Sequence, residues 1–259
     1  MQDFFKEKSE SLIPELVSGV RILFTEREGG VSSGPWGGAE GIMGLNVATH
    51  VGDNAACVRM NRSIVSQMTP SAPRWMTQVH GTEVADAESV TDDALQADAQ
   101  TCVTPGVVCA VQVADCLPVL VADSRARGVA AIHAGWKGLS AGIIEKAVAR
   151  LRERLSDPEA QILAWLGPRI GADDFEVGPE VVQAFEQKYG EVSGAVRSAS
   201  EGKYLLSLAA YAKLALAAAG VRQVEDCGLS TYADPRRFYS YRRDGASSGR
   251  HAALIWIEE

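Results

Sequence analysis

The apolar positions of this chain gather into short continuous runs bounded by glycine, proline and acidic residues, with little strict alternation. From residue 107 to 138 the sequence reads VVCAVQVADCLPVLVADSRARGVAAIHAGWKG. Its three β-branched runs, 107–113, 119–123 and 129–134, predict buried strands lying side by side. Upstream, residues 20–25 predict a strand closed by a turn at 26–30, and residues 74–80 predict another strand that ends in a histidine. Between them, residues 32–44 form a glycine-rich loop, and Asn54 is placed to cap a helix running to Ser66. Residues 86–98 read as an acidic surface segment.

After residue 138 the helical period takes over. Ser140 is placed to cap a helix to Leu155 whose Ile143, Ile144, Ala147, Val148, Leu151 and Leu155 share one face. A strand over 161–166 runs into the turn GPRIG. A helix over 179–189 opens on proline, where the missing N–H costs nothing. A further helix over 207–219 is closed by Gly220, and 251–257 is a closing strand. The elements lack a regular strand–helix–strand beat, and there is no repeat or linker. The reading is one α+β domain over 1–259, with mixed sheets, packed helices and a peripheral N-terminal segment at 1–20.

Composition excludes some classes. Apolar residues make up 46% and charged residues 22%, as in a soluble globular protein. A net charge of −8 argues against a nucleic-acid binder, though not against a small anion in a locally basic pocket. No stretch approaches the roughly 18 apolar residues of a membrane span, and the charged N-terminus is not a signal peptide. Five cysteines with no CxxC spacing read as reduced thiols, so the expected location is the cytoplasm; a monomer is expected.

His80, Cys116 and His133 each lie at the edge of an apolar run near a strand breaker, Gly81, Pro118 or Gly135. One rim of a sheet is expected to carry all three. A cysteine and two histidines bind zinc with a fourth position open, as in catalytic zinc sites. The same atoms also suit Cys116 as a nucleophile and His133 as its base. Asp115 and Lys137 read either as solvated charges or as a carboxylate behind a ligand histidine and a cation for an anionic oxygen. Arg27, beside Gly29 and Gly30, and Arg169, within GPRIG, sit where backbone can approach a phosphate. Residues 242–245 suit a salt-bridged turn or a substrate loop. His50 and His251 read as structural, and Phe238, Tyr239 and Tyr241 as packing.

Seven motifs in order then point to a family. They are TEREGGVS at 25–32, Asn61-Arg62, QVHG at 78–81, ADCLPV at 114–119, HAGWKG at 133–138, GPRIG at 167–171 with FEVG at 175–178, and YSYRRDG at 239–245. Together they resemble the YfiH or laccase-domain family, also called the peptidoglycan editing factor or polyphenol oxidase family, over nearly all of the chain after Arg21. The resemblance implies a fold similar to that of the cytotoxic necrotizing factor deamidase toxins. It also implies one zinc per chain on His80, Cys116 and His133. Copper is the lesser alternative, because multicopper oxidases need many histidines and this chain has four.

The activity implied is phosphorolysis of purine nucleosides (adenosine, inosine or methylthioadenosine) to base and sugar 1-phosphate, with adenosine deamination beside it. Catalytic roles then fall to Cys116, His133 and Asp115, the last handling a proton, and phosphate binding to Arg27, Arg62 and Lys137. A cysteine-dependent amidase acting on peptidoglycan precursors, or a non-catalytic metal-binding protein, would explain the same residues. Two features depart from the family pattern: a longer loop at 33–45, and Ser207 where aspartate is expected. The loop's Trp36 belongs either to a lid over the nucleoside or to the protein's own core.

Overall fold

The central apolar runs show no alternation because their strands are buried on both faces. A computed structural model describes residues 17–259 of the chain. In order, its elements are β1 (Val20–Phe24), β2 (Glu28–Ser32), α1 (Ala55–Ser66), β3 (Val84–Asp86), β4 (Ala99–Cys102), β5 (Cys109–Val113), β6 (Leu117–Asp123) and β7 (Val129–Ala134). There follow α2 (Trp136–Ala141), α3 (Ile143–Arg154), β8 (Ile162–Leu166), β9 (Glu176–Val177), α4 (Pro179–Tyr189), β10 (Val196–Ser198) and β11 (Tyr204–Leu206). The chain closes with α5 (Leu208–Ala218), β12 (Gln223–Asp226), α6 (Tyr241–Asp244) and β13 (His251–Ile257).

A six-stranded mixed sheet, ordered β12-β8-β6-β7-β4-β3, forms the middle of the molecule. β6 runs through it with Leu117, Val119 and Val121 in the core shared with the helices. Leu120 and Ala122, pointing the other way, join a second core with β1, β5 and β13. Those three strands form their own antiparallel sheet in the order β1-β13-β5, and its outer face carries Leu23, Ala110 and Leu254 against Val65 of α1. The small sheet β10-β11-β9 lies apart from both. Ile143, Ile144, Val148 and Leu151 of α3 are almost fully buried. At roughly 1.5–3 kcal/mol each they contribute on the order of 10 kcal/mol before entropy is counted, so packing and not helix propensity holds α3 in place.

The α+β class expected from the sequence is therefore present, with several local differences. β5 does not lie beside β6. It pairs with β13, and the connection at 114–116, with Asp115 at φ +83°, carries the chain from one sheet to the other. Pro118 does not end a strand either: it lies inside β6 opposite His133. The arrangement holds because the two residues face away from each other: the Pro118 carbonyl accepts from the Gly167 N–H at 3.0 Å and the His133 N–H donates to the Asp98 carbonyl at 2.7 Å, so their pairing needs no N–H from the proline. Residues 74–80 form only isolated bridges, not a strand, and the predicted turn at 26–30 contains the start of β2. The helix after residue 135 begins at Trp136 and breaks at Gly142, φ +94°, leaving Ser140 inside α2 and not at a cap.

Asn54 does cap α1, accepting from the Ala56 N–H at 2.8 Å. Ser207 caps α5 through the Ala210 N–H, a task that serine and aspartate share. Of the N-terminal segment 1–20, residues 1–16 lie outside the described residues; Val17 packs on the second core and Val20 opens β1.

Candidate metal centre and active site

Three loops converge at the rim between the two larger sheets. The connection into β6 brings Cys116, the end of β7 brings His133, and a bend after residue 78 brings His80. Their donor atoms all lie within 4.8 Å of one another, and among the described residues they are the one group of three His, Cys, Asp or Glu donors so placed. Cys116 Sγ stands 3.7 Å from His80 Nε2. Zinc bonds of about 2.0–2.1 Å to nitrogen and 2.3 Å to sulfur at a tetrahedral angle would separate those atoms by about 3.6 Å, so this pair stands at the spacing the ion requires. The two imidazoles meet edge to face at 4.8 Å between centroids.

The residue that builds this arrangement is Asp98, which the sequence reading placed on an acidic surface. It is fully buried. Its carboxylate accepts from the backbone N–H groups of Val79 (3.2 Å), His80 (2.9 Å) and Gly81 (2.7 Å). It also meets His133 Nδ1 at 2.8 Å. Two ligand loops are thus locked to one side chain, and His133 is left with Nε2 to offer. His80 adopts φ +60°, a conformation that costs a non-glycine residue on the order of 1 kcal/mol, and the three backbone bonds to Asp98 offset that strain. Gly135 matters for space. A Cβ there would stand 2.7 Å from His80 Cδ2 and 3.2 Å from Cys116 Sγ, so only glycine lets the rings and the sulfur close together.

The electrostatics favour the ligand form of the sulfur. Burial alone would push the Cys116 thiol up, but the charge and hydrogen bond of His133, with His80 behind it, bring it down to about 6. Burial would likewise lower His133, yet the Cys116 thiolate and the Asp98 carboxylate raise it to about 9. Asp98 stays below the ordinary carboxylate range, because its hydrogen bonds outweigh its burial.

These residues open onto a cavity of about 520 Å³. Val79, Phe175 and Tyr241 give it apolar surface, and Gln78 and Gln112 give it carboxamides. Gln78 pairs with the backbone of Gln112 at 2.8 and 2.9 Å, tying the His80 loop to β5. Lys137, Arg242 and Arg250 supply the cations. Arg250 Nη1 donates to the Ser248 and Gly249 carbonyls, and Arg242 Nη1 to that of Glu176. Among the described residues none of the three cations has a carboxylate within ion-pair distance.

The other predicted cations stand elsewhere. Arg27 pairs with Asp244 at 3.5 Å and donates to the Gly37 carbonyl, and Arg62 pairs with Asp93 at 2.7 Å while stacking on Trp75. Neither lines the cavity. Arg169 is held by Asp226. Asp115 does line the cavity, but it has no hydrogen bond or ion pair to the three ligand side chains; its oxygens serve Thr231, Ser240 and the N–H of Arg242.

His50, read as structural, lies on the cavity wall, where burial and the Arg250 charge lower its pKa. Tyr241 is on the wall too, while Phe238 and Tyr239 are core. Trp36 is not on the wall. Its indole N–H donates to the Val51 carbonyl and its own carbonyl accepts from Tyr239, so it belongs to the protein's surface packing. Of the residues the sequence reading passed over, Asp98 and Arg250 carried no signal, whereas Arg242 stood in a motif with two readings.

Comparison with known proteins extends these observations. The family described as multi-copper polyphenol oxidoreductase laccase matches residues 21–258. A Pseudomonas aeruginosa protein named purine nucleoside phosphorylase is 40% identical over 241 residues, covering 93% of this chain and 94% of its own. The purine nucleoside phosphorylase YfiH of Escherichia coli is 41% identical, over 92% of this chain and 94% of its own. Among solved structures, a Neisseria meningitidis protein superposes with a TM-score of 0.85 at 41% identity, covering 93% of this chain and 96% of its own. YlmD of Geobacillus stearothermophilus gives 0.84 at 29% identity, covering 94% of this chain and 93% of its own. The motifs, the fold and these relatives agree: the chain belongs to the laccase-domain family that includes YfiH.

Proposed function

We propose that the chain is a zinc-dependent purine nucleoside phosphorylase that also deaminates adenosine. The observation that carries this is the union, in one cavity, of a Cys-His₂ donor set with three cations that make no ion pair among the described residues. A phosphate needs such cations, and the overall charge of −8 makes their local concentration a feature of the site. The names of the relatives support the same substrates. In this reading Lys137, Arg242 and Arg250 hold phosphate, whereas Arg27 and Arg62 shape the loops around them. Val79, Phe175 and Tyr241 offer apolar surface to the purine. His80, Cys116 and His133 hold the metal, and Asp98 keeps His133 turned so that Nε2 is the ligand. Bound zinc supplies a Lewis acid for a substrate oxygen or a water acidified toward neutrality.

Zinc is preferred to copper on the donor set. Three protein donors with a fourth position open match a catalytic zinc site, whereas a multicopper oxidase needs many more histidines than the four in this chain. One observation favours a second reading: Cys116, His133 and Asp98 stand as a cysteine hydrolase orders its nucleophile, base and carboxylate. His80 argues against it, since a nitrogen donor 3.7 Å from the sulfur completes a metal set that a hydrolase does not need. Chromatography of inosine reactions decides. Phosphorolysis gives hypoxanthine and ribose 1-phosphate only when phosphate is added, and adenosine gives inosine with or without it. Equal hypoxanthine release without phosphate overturns the proposal.

A further inference from the structure

Asp115 stands beside the metal ligands on the cavity wall but is not bonded to them. We infer that Asp115 is a positioning residue: it clamps the 240–242 turn against the start of β6 and so sets Tyr241 and Arg242 on the cavity wall. The kinetic part of this inference rests on the function proposed above.

The geometry is complete on the protein side. Thr231 Oγ1 donates to Asp115 Oδ1 at 2.6 Å. Ser240 Oγ (3.0 Å) and the Arg242 N–H (2.6 Å) both donate to Oδ2. The Asp115 carbonyl accepts from the Ile170 N–H at 3.0 Å. One residue therefore joins the loops around 170 and 231 and the 240–242 turn, and Ile170, Tyr241 and Arg242 all line the cavity. Ser240 passes the restraint on, since its Oγ also accepts from the Arg243 N–H and caps α6. Asp115 is 8% exposed and sits at φ +83°, a left-handed conformation that aspartate and asparagine tolerate better than other side chains. That backbone aims its carboxylate at the turn while the next residue, Cys116, presents its sulfur to the histidines. The ligand set and the cation wall are thereby fixed relative to each other through one side chain. With three donors on its two oxygens, Asp115 serves as an anchor and not as the proton carrier.

Asp115→Asn tests this, because asparagine keeps the backbone conformation but has one acceptor oxygen for three donors. Amide exchange across residues 240–244 should quicken by roughly tenfold or more, since a buried donor is left unpaired. KM for inosine and for phosphate should rise roughly five- to fiftyfold on the same ground, with kcat changed less than about threefold. Zinc content and the pH profile of kcat should not move. Ser240→Ala, which removes one donor, should shift the same quantities in the same direction by less, and Asp115→Asn should add little in an Arg242→Ala background. Unchanged exchange over 240–244 overturns the inference whatever the activity. A fall in kcat with loss of one limb of the pH profile would make Asp115 the proton carrier and overturn it equally. If the unaltered protein turns over no nucleoside, the proposed function fails, and the exchange data still decide the anchor.

Discussion

Replacing Gly135 by alanine should damage the metal centre without damaging the fold. At φ −65°, ψ 158° the residue sits where any amino acid is comfortable, so the substitution brings no backbone strain. Its only effect is a methyl group 2.7 Å from His80 Cδ2 and 3.2 Å from Cys116 Sγ. Ordinary contact begins near 3.4 Å, so the His80 ring must retreat by about 0.7 Å, against a tolerance of about 0.2 Å in zinc–ligand distances. Misplacing one ligand in this way should weaken zinc roughly 10- to 100-fold, or about 1.4–2.7 kcal/mol. Metal-free protein should melt at the same temperature or slightly higher, since Gly→Ala at a compatible backbone stabilises by about 0.4–1 kcal/mol through the unfolded chain. Competition of stripped protein with a chromophoric chelator at pH 7 gives the affinity, and calorimetry gives the melting point. Unchanged zinc affinity would show that Gly135 does not shape the site. A drop of several degrees in the metal-free melting point would show that the fold, and not the ligand geometry, was lost.

Other substitutions separate the site's parts. Asp98→Asn should weaken zinc in the same assay by roughly 10- to 100-fold, because His133 loses the carboxylate that orients it. Arg250→Gln should raise KM for phosphate with little change in melting point, whereas Arg27→Gln should lower the melting point and leave that KM nearly alone; initial rates and calorimetry distinguish them. His251 is fully buried, its ring nitrogens have no partner among the described residues, and burial together with the Arg250 charge holds its pKa at about 3. A depressed folded pKa means that the unfolded chain binds the proton first. Stability is thus intact above about 6.5 and is lost as pH falls toward 3. Between pH 7 and pH 4.5 denaturant titrations should show the unaltered protein losing about 3 kcal/mol more than His251→Leu, and parallel losses would refute the assignment.

How much of this was legible in the sequence varies with how local the cause is. The three metal donors stood out because each lies within two residues of a glycine or proline, and at Gly135 the cause is local to the site, since a Cβ there would strike His80 and Cys116. Helix limits set by a cap or a proline, as at Asn54 and Pro179, were equally readable. Asp98 was hidden, because an acid in an acidic run looks solvated until the three N–H groups that bury it are in place. Which sheet β5 joins was hidden as well, since a strand buried on both faces carries the same apolar pattern wherever it pairs. The arginines show the same limit. Arg62 is neutralised by Asp93, 31 residues away, while Arg250 makes no ion pair among the described residues and lines the cavity, and no local pattern distinguishes them. The YRRDG motif allowed two readings because its arginines differ: Arg243 pairs with Asp244, while Arg242 lines the cavity.

The most direct test of the account is a zinc titration of metal-stripped protein followed by phosphate-dependent release of hypoxanthine from inosine. Activity should be absent at the start, rise in proportion to added zinc and stop at about one ion per chain. His80→Ala and Cys116→Ala proteins should neither retain the ion nor gain activity. Full activity in the stripped protein, or zinc held equally well by both variants, would contradict it.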